Sequence, residues 1–263
     1  MAMKRGTRSE NISFITANWP APPNVHALTT SRGGGCSEGT YSSLNLATHV
    51  GDEPARVAEN RRLLQTELHL PGEPRWLEHY HGTEVIDAAG VARRADGIYI
   101  NQFRKVGVIL TADCLPILLC DADATEICAL HGGWRGLSEG IIARGVERMH
   151  SPSDKLMAWL GPAISAANYE VGEEVRDAFI TRNSSLACAF RLSQPGHFYC
   201  DLYAIARHQL RALGVTQIHG GDFCTFADNQ QFYSYRRDGG GGNDTGRMAT
   251  FIWLEPTQSD ERL

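Results

Sequence analysis

The amino-acid sequence predicts an α+β fold, with mixed β-sheets and packed helices in one domain spanning residues 1–263. Three observations predict it. Short apolar runs of strand length stand among segments with helical spacing. The two kinds of segment do not alternate in the strict rhythm of a doubly wound sheet. No long linker, repeat or low-complexity tract divides the 263 residues.

Taken in order, residues 1–12 carry basic side chains but no apolar stretch, and read as a loose N-terminal tail rather than a signal peptide. Asp52 is placed to cap a helix with Pro54 in its first turn and Val57, Leu64 and Leu68 on one face. Val106–Leu110, Ile117–Cys120 and Ile127–His131 are short apolar runs, hence buried strands. After the HGGWRG turn, Leu137, Ile141, Ile142, Val146 and Met149 recur at helical spacing. Leu156–Leu160 is another strand. Val171, Val175 and Phe179 share a helical face. Asp201 is placed to cap a helix with Leu202, Ile205 and Leu213 inward, ended by Gly214. Thr250–Leu254 is the closing strand. The glycine runs Gly33–Gly35 and Gly239–Gly242 read as loops.

Composition narrows the function. A net charge of −5 with scattered basic residues gives no phosphate-backbone footprint, so nucleic acid is not an expected partner. No apolar run reaches membrane-spanning length. The seven cysteines are odd in number and form no CxxC, which fits reduced thiols in a cytoplasmic protein. A chain of this length needs no metal to fold, so any metal would be functional.

Three polar residues interrupt the apolar segments: His81 in WLEHYHGTEV, Cys114 in VILTADCLPILLC and His131 in ICALHGGWRG. Each stands at a strand end beside Gly, Asp or Pro, where a scaffold presents reactive groups. One thiolate and two imidazoles suit zinc, and three protein ligands leave a fourth position open, as in catalytic sites. Such a position lowers the pKa of a bound water to about 7. The separations of 33 and 17 residues make no local metal finger. The same residues also fit a second reading, with Cys114 as nucleophile and His131 as its base.

TADCLPILL, HGGWRG, LGPAISAANYEVGEEV, DLYAIARHQLRALGV, TGRMATFIWL and the N-terminal TTSRGGGCSEGTYSSLNLATHVGDEPARVAENRRLL resemble the YfiH-like family once called polyphenol oxidase or multicopper laccase-like. The resemblance runs from about Leu28 to Leu254. It implies a fold related to the catalytic domain of cytotoxic necrotizing factor and one zinc ion on His81, Cys114 and His131. It also implies phosphorolysis of adenosine, inosine, guanosine and methylthioadenosine, with adenosine deamination. Some members are described instead as peptidoglycan-editing factors, which keeps a cysteine hydrolase using Cys114 and His131 as the alternative. Two positions depart from the family's pattern. His79 replaces a usual Gln two residues before His81, and Ala163 stands where many members have Cys.

A copper polyphenol oxidase is the least favoured reading: only His79–Tyr80–His81 forms an HxH pair among ten histidines. Copper remains a plausible in-vitro substitute for zinc, because nitrogen and sulfur ligands hold copper(II) more tightly. In deamination, activated water would attack C6 of adenine; in phosphorolysis, phosphate attacks C1′ while the purine leaves. Arg32, Arg61 and Arg135 are the candidate phosphate ligands, Asn45 a partner for ribose or phosphate, and Asp113 a proton shuttle or ligand-orienting group. Each also has a plain structural reading, Arg61 as an ion-paired helix side chain and Asn45 as a loop-holding group. Trp134 is a candidate purine stack. Tyr233, Tyr235 and Arg236 precede the 239–242 glycines, which read equally as a lid or a surface loop. A nucleoside and phosphate are the expected partners, and the expected assembly is a monomer or weak dimer.

Overall fold

The computed structural model describes residues 12–239 and 244–256. In chain order the elements are β1 (Phe14–Thr16), β2 (Val25–Thr30), α1 (Pro54–Glu67), β3 (Pro74–Arg75), β4 (Val85–Asp87), β5 (Gly97–Ile100), β6 (Val106–Thr111), β7 (Leu115–Asp121) and β8 (Ile127–Gly132). They continue with α2 (Trp134–Glu139), α3 (Ile141–Arg148), β9 (Leu156–Leu160), β10 (Glu170–Gly172), α4 (Glu173–Ile180), β11 (Phe190–Gln194) and β12 (His197–Cys200). The last are α5 (Leu202–Ala212), β13 (Gln217–Gly220), α6 (Tyr235–Asp238) and β14 (Met248–Leu254).

Two mixed sheets carry the core. One runs β1-β2-β14-β6-β3 and the other β13-β9-β7-β8-β5-β4, while β10-β12-β11 make a small third sheet. Side chains alternate across each strand, so one strand feeds two cores. Ile98, Ile109, Leu118, Ala129, Trp159 and Ile252 pack between the two large sheets. Tyr99, Ile117, Leu119 and Leu130 face the other way, against Leu137, Ile141, Phe179, Ile205 and Leu210 of the helices. On the far side, Val108, Leu110, Phe251 and Trp253 pack with Leu64 of α1 and with Leu44 and Leu46. Both large sheets are therefore covered on both faces. That is why β6, β7, β8, β9 and β14 read as mostly apolar runs and not as alternating ones: every residue in them is buried.

The expected helices form, with three corrections. Asp52 does not cap α1; Glu53 is the cap residue and makes no side-chain cap bond. Asp52 instead accepts from Ser37 and Asn45 within the N-terminal loop. The helix expected across Leu137–Met149 is two, because Gly140 adopts φ 101°, a left-handed conformation that ends α2 and turns the chain into α3. Val171 lies in β10, so α4 begins two residues later. Asp201 does cap α5, accepting from the Ala204 N–H. The expected tail at 1–12 is corrected at its end, since Ile12 is buried in the core under α1; residues 1–11 lie outside the described residues, as do Gly240, Gly241 and Gly242 of the expected lid.

Candidate metal centre

His81, Cys114 and His131 come together where the two large sheets meet. Cys114 stands in the turn that carries the chain from β6 in one sheet to β7 in the other. His131 lies near the end of β8, paired in register with Pro116 of β7. His81 sits in the loop between β3 and β4, with φ 64°. The ligand-type atoms of the three residues all lie within 4.8 Å of one another. Cys114 Sγ is 3.9 Å from His81 Nε2, and the His81 and His131 rings meet edge to face.

Asp96, which the sequence reading missed, organises the site. It is fully buried just before β5. Its carboxylate accepts the backbone N–H groups of Tyr80, His81 and Gly82 at 3.2, 3.0 and 2.7 Å, which fixes the turn carrying His81. The same carboxylate lies 2.8 Å from His131 Nδ1, and its backbone carbonyl accepts the His131 N–H. A carboxylate on Nδ1 places the proton there and leaves Nε2 as the ligand atom, the usual support of a metal-bound histidine. The available signal was an Asp-Gly pair opening an apolar strand, which reads as a turn.

Electrostatics favour the charged forms. Burial pushes the Cys114 thiol up, but the His131 charge and hydrogen bonds from His131 and His81 outweigh it and bring the pKa down to about 6. Burial would lower His131, but Cys114 and Asp96 raise it to about 9. Burial opposes ionisation of Asp96, yet His131 holds its carboxyl below the usual carboxylate range.

Gly133 leaves the space that a metal would need. A Cβ at this position would lie 2.8 Å from the His81 ring, 3.3 Å from Cys114 Sγ and 3.6 Å from the His131 ring. One thiolate, two imidazoles and this gap fit a single ion of the zinc class. Among the described residues one other group has metal-ligand spacing, His79–Asp96–His131. It shares His131, and His79 has neither nitrogen to spare: Nδ1 lies 3.0 Å from the Ala95 carbonyl and Nε2 accepts the Leu110 N–H at 3.2 Å. No second ion has a place of its own among these residues.

The three residues line a cavity of about 500 Å³ together with His49, Thr111, Trp134, Arg135, Tyr169, Tyr235, Arg236 and Arg247. Of the expected anion ligands only Arg135 lines it, stacked over Trp134. Arg32 donates to the Ser42 and Asn229 carbonyls. Arg61 donates twice to the Leu46 carbonyl, stacks on Trp76 and is lowered by burial to about 10. Asn45 is fully buried and holds Ala47, Asp52 and the Arg247 backbone. None of these three lines the cavity; each holds a loop through the bonds just named.

Asp113, expected to orient a ligand or shuttle a proton, bridges to the C-terminal segment: its two oxygens accept from Thr225, Ser234 and the Arg236 N–H. Arg236 and Arg247 are the cavity arginines not assigned to phosphate from sequence. Arg236 reaches the Glu170 carbonyl beside Tyr169, and Arg247 pairs with Asp244. Burial and the nearby Cys114 keep the Tyr169 hydroxyl protonated, above the usual phenol range.

Known proteins match most of this chain. Residues 26–255 match the family model described as multi-copper polyphenol oxidoreductase laccase. A Pseudomonas aeruginosa protein named purine nucleoside phosphorylase is 45% identical over 92% of this chain and 99% of its own. The Escherichia coli purine nucleoside phosphorylase YfiH is 44% identical over 92% and 98%. A Neisseria meningitidis crystal structure superposes with TM-score 0.88 at 46% identity, covering 92% of this chain and 99% of that one. YlmD from Geobacillus stearothermophilus superposes with TM-score 0.83 at 28% identity, covering 96% and 98%. The chain belongs to the YfiH-like family described as multi-copper polyphenol oxidoreductase laccase.

Proposed function

We propose that this protein is a purine nucleoside phosphorylase with one zinc ion on His81, Cys114 and His131, acting on adenosine, inosine, guanosine and methylthioadenosine and also deaminating adenosine. The observation that carries the reading is the cavity itself. The three ligand-type residues line it together with Arg135, Arg236 and Arg247. Among the described lining residues the one carboxylate, Asp113, is already hydrogen-bonded. Such a cavity favours an anion, and guanidinium groups grip phosphate in a fork. The names of the relatives point to the same reaction.

In phosphorolysis a phosphate oxygen bonds to C1′ as the C1′–N9 bond breaks and the electron pair leaves with the purine. The arginines bind and orient the phosphate. Trp134, Tyr169 and Tyr235 line the same cavity, each with an arginine over its ring, and are the aromatic side chains placed to contact the base. Asp96 keeps His131 in one tautomer. A bound zinc ion would supply a Lewis acid at the cavity wall and an activated water for deamination. The test is incubation of the purified protein with adenosine and inorganic phosphate. Adenine and ribose 1-phosphate are expected, with inosine and hypoxanthine from the deaminated fraction. Absence of all products from zinc-loaded protein, with Cys114→Ala indistinguishable, rejects the reading.

One observation favours a second reading, a cysteine hydrolase of cell-wall precursors: the Cys114 thiol lowered to about 6 beside His131. It predicts turnover of such a substrate in the presence of chelator, and loss of all activity on zinc removal excludes it.

A further inference from the structure

We propose that His79 is a positioning residue of the metal centre: its ring ties together the three backbone segments that deliver His81, Asp96 and Cys114, and braces the His131 ring, without binding the ion. The geometry fixes its role. Leu110 N–H can only donate, so His79 Nε2 accepts at 3.2 Å. Nδ1 therefore carries the proton and donates to the Ala95 carbonyl at 3.0 Å. Each partner leads to a functional residue. His79 is two residues from His81, Ala95 adjoins Asp96, and Leu110 lies on β6 shortly before Cys114.

The His79 ring lies almost parallel to that of His131, with centroids 4.6 Å apart and an interplanar angle of 16°. His131 is thus held by Asp96 at Nδ1 and by His79 against one ring face. Support of this kind acts on the metal through the ligands, and its loss typically costs 10- to 100-fold in affinity.

The inference rests on the metal centre proposed above and not on purine chemistry, so it is tested with cobalt(II) alone. His79→Leu fills much of the ring's volume but offers neither donor nor acceptor; His79→Gln offers both from one side chain. Cobalt(II) affinity, measured by chelator competition, should fall about 10- to 100-fold in His79→Leu and stay within about threefold of the parent in His79→Gln. The thiolate-to-cobalt absorption band should change in His79→Leu and be restored by His79→Gln. Equal affinity and spectra for His79→Leu and the parent overturn the proposal, and so does an equal loss in both variants.

Should His79→Leu fail to fold, nitrogen-15 NMR of the parent keeps the proposal falsifiable. It expects His79 protonated at Nδ1 and bare at Nε2 with and without metal, and direct coordination at either nitrogen overturns it. A parent that binds no more cobalt than Cys114→Ala removes the centre itself, whereas failed phosphorolysis with normal cobalt binding removes only the purine reading.

Discussion

Asp96 and Glu126 are the same device at opposite ends of one strand pair. Asp96 precedes β5 and Glu126 precedes β8, and the two strands run antiparallel. Both carboxylates are buried. Both accept a row of backbone N–H groups, Asp96 from Tyr80, His81 and Gly82 and Glu126 from His150 and Ser151. Both also touch an imidazole. Yet His131 is buried beside a thiolate and a gap, whereas His150 has a largely exposed side chain. A carboxylate gripping a loop and a histidine is therefore a structural fastener. It becomes part of a reactive centre only where the fold adds a cysteine, a second histidine and the space kept open by Gly133.

The largest expected effect is at Asp96. Asp96→Ala leaves three amides and a buried imidazole without their partner, so stability should fall by about 3–5 kcal/mol in urea unfolding, and elemental analysis should find no stoichiometric zinc. Glu126→Ala should lose about 2–4 kcal/mol by the same route but keep its zinc. If the folded Glu126 variant loses the metal, the two ends are not separable as described. Gly133→Ala sharpens the contrast from the other side. Gly133 has φ −69° and ψ 155°, which alanine accepts, so the cost should lie in the site. Zinc affinity should drop about tenfold or more, with the midpoint of thermal unfolding of metal-free protein nearly unchanged.

Two pH effects are smaller. In metal-free protein the Cys114 thiolate persists above its pKa of about 6 and is lost as pH falls through it. Iodoacetamide should therefore label Cys114 with a midpoint near pH 6, and metal binding should weaken below that pH as protons compete for the sulfur. A midpoint near the ordinary thiol value would mean that His131 and His81 do not act on the sulfur. Cys120, fully buried and pushed up to about 12, should stay unlabelled in native protein. Glu126 is held down to about 2 despite burial, by the His150 and Ser151 amides. Its stabilisation is complete above the ordinary glutamate pKa and drains away as pH falls towards 2. Glu126→Gln should flatten that acid limb, as read by unfolding free energies between pH 5 and pH 3.

The legible parts of the fold were those whose cause is local. β6, β7, β8, β9 and β14 are buried on both faces, so their sequences are mostly apolar and do not alternate. Asp201 caps through a bond three residues away. The candidate ligands stood out as polar residues beside or within apolar segments and through the family motifs. What escaped depends on tertiary placement. Asp96 looks like a turn residue until it meets His131, 35 positions away. Arg236, on α6, and Arg247, just before β14, line the cavity, while Arg61, on α1, hydrogen-bonds to the Leu46 carbonyl and does not line it. His79 and His81 differ in fate through backbone direction, one turned towards Ala95 and Leu110, the other towards Cys114.

The position of β14 has a consequence for biogenesis. It is the middle strand of its sheet, bonded to β2 on one side and β6 on the other, and Thr250 hydrogen-bonds to Thr29 across 221 residues of chain. Until residues 248–254 are available, the edges of β2 and β6 that bond to β14 lack that partner. Such unpaired edges are open to wrong partners, and closing so long a loop is slow. A chain shortened before Met248 should thus be aggregation-prone and not merely less stable.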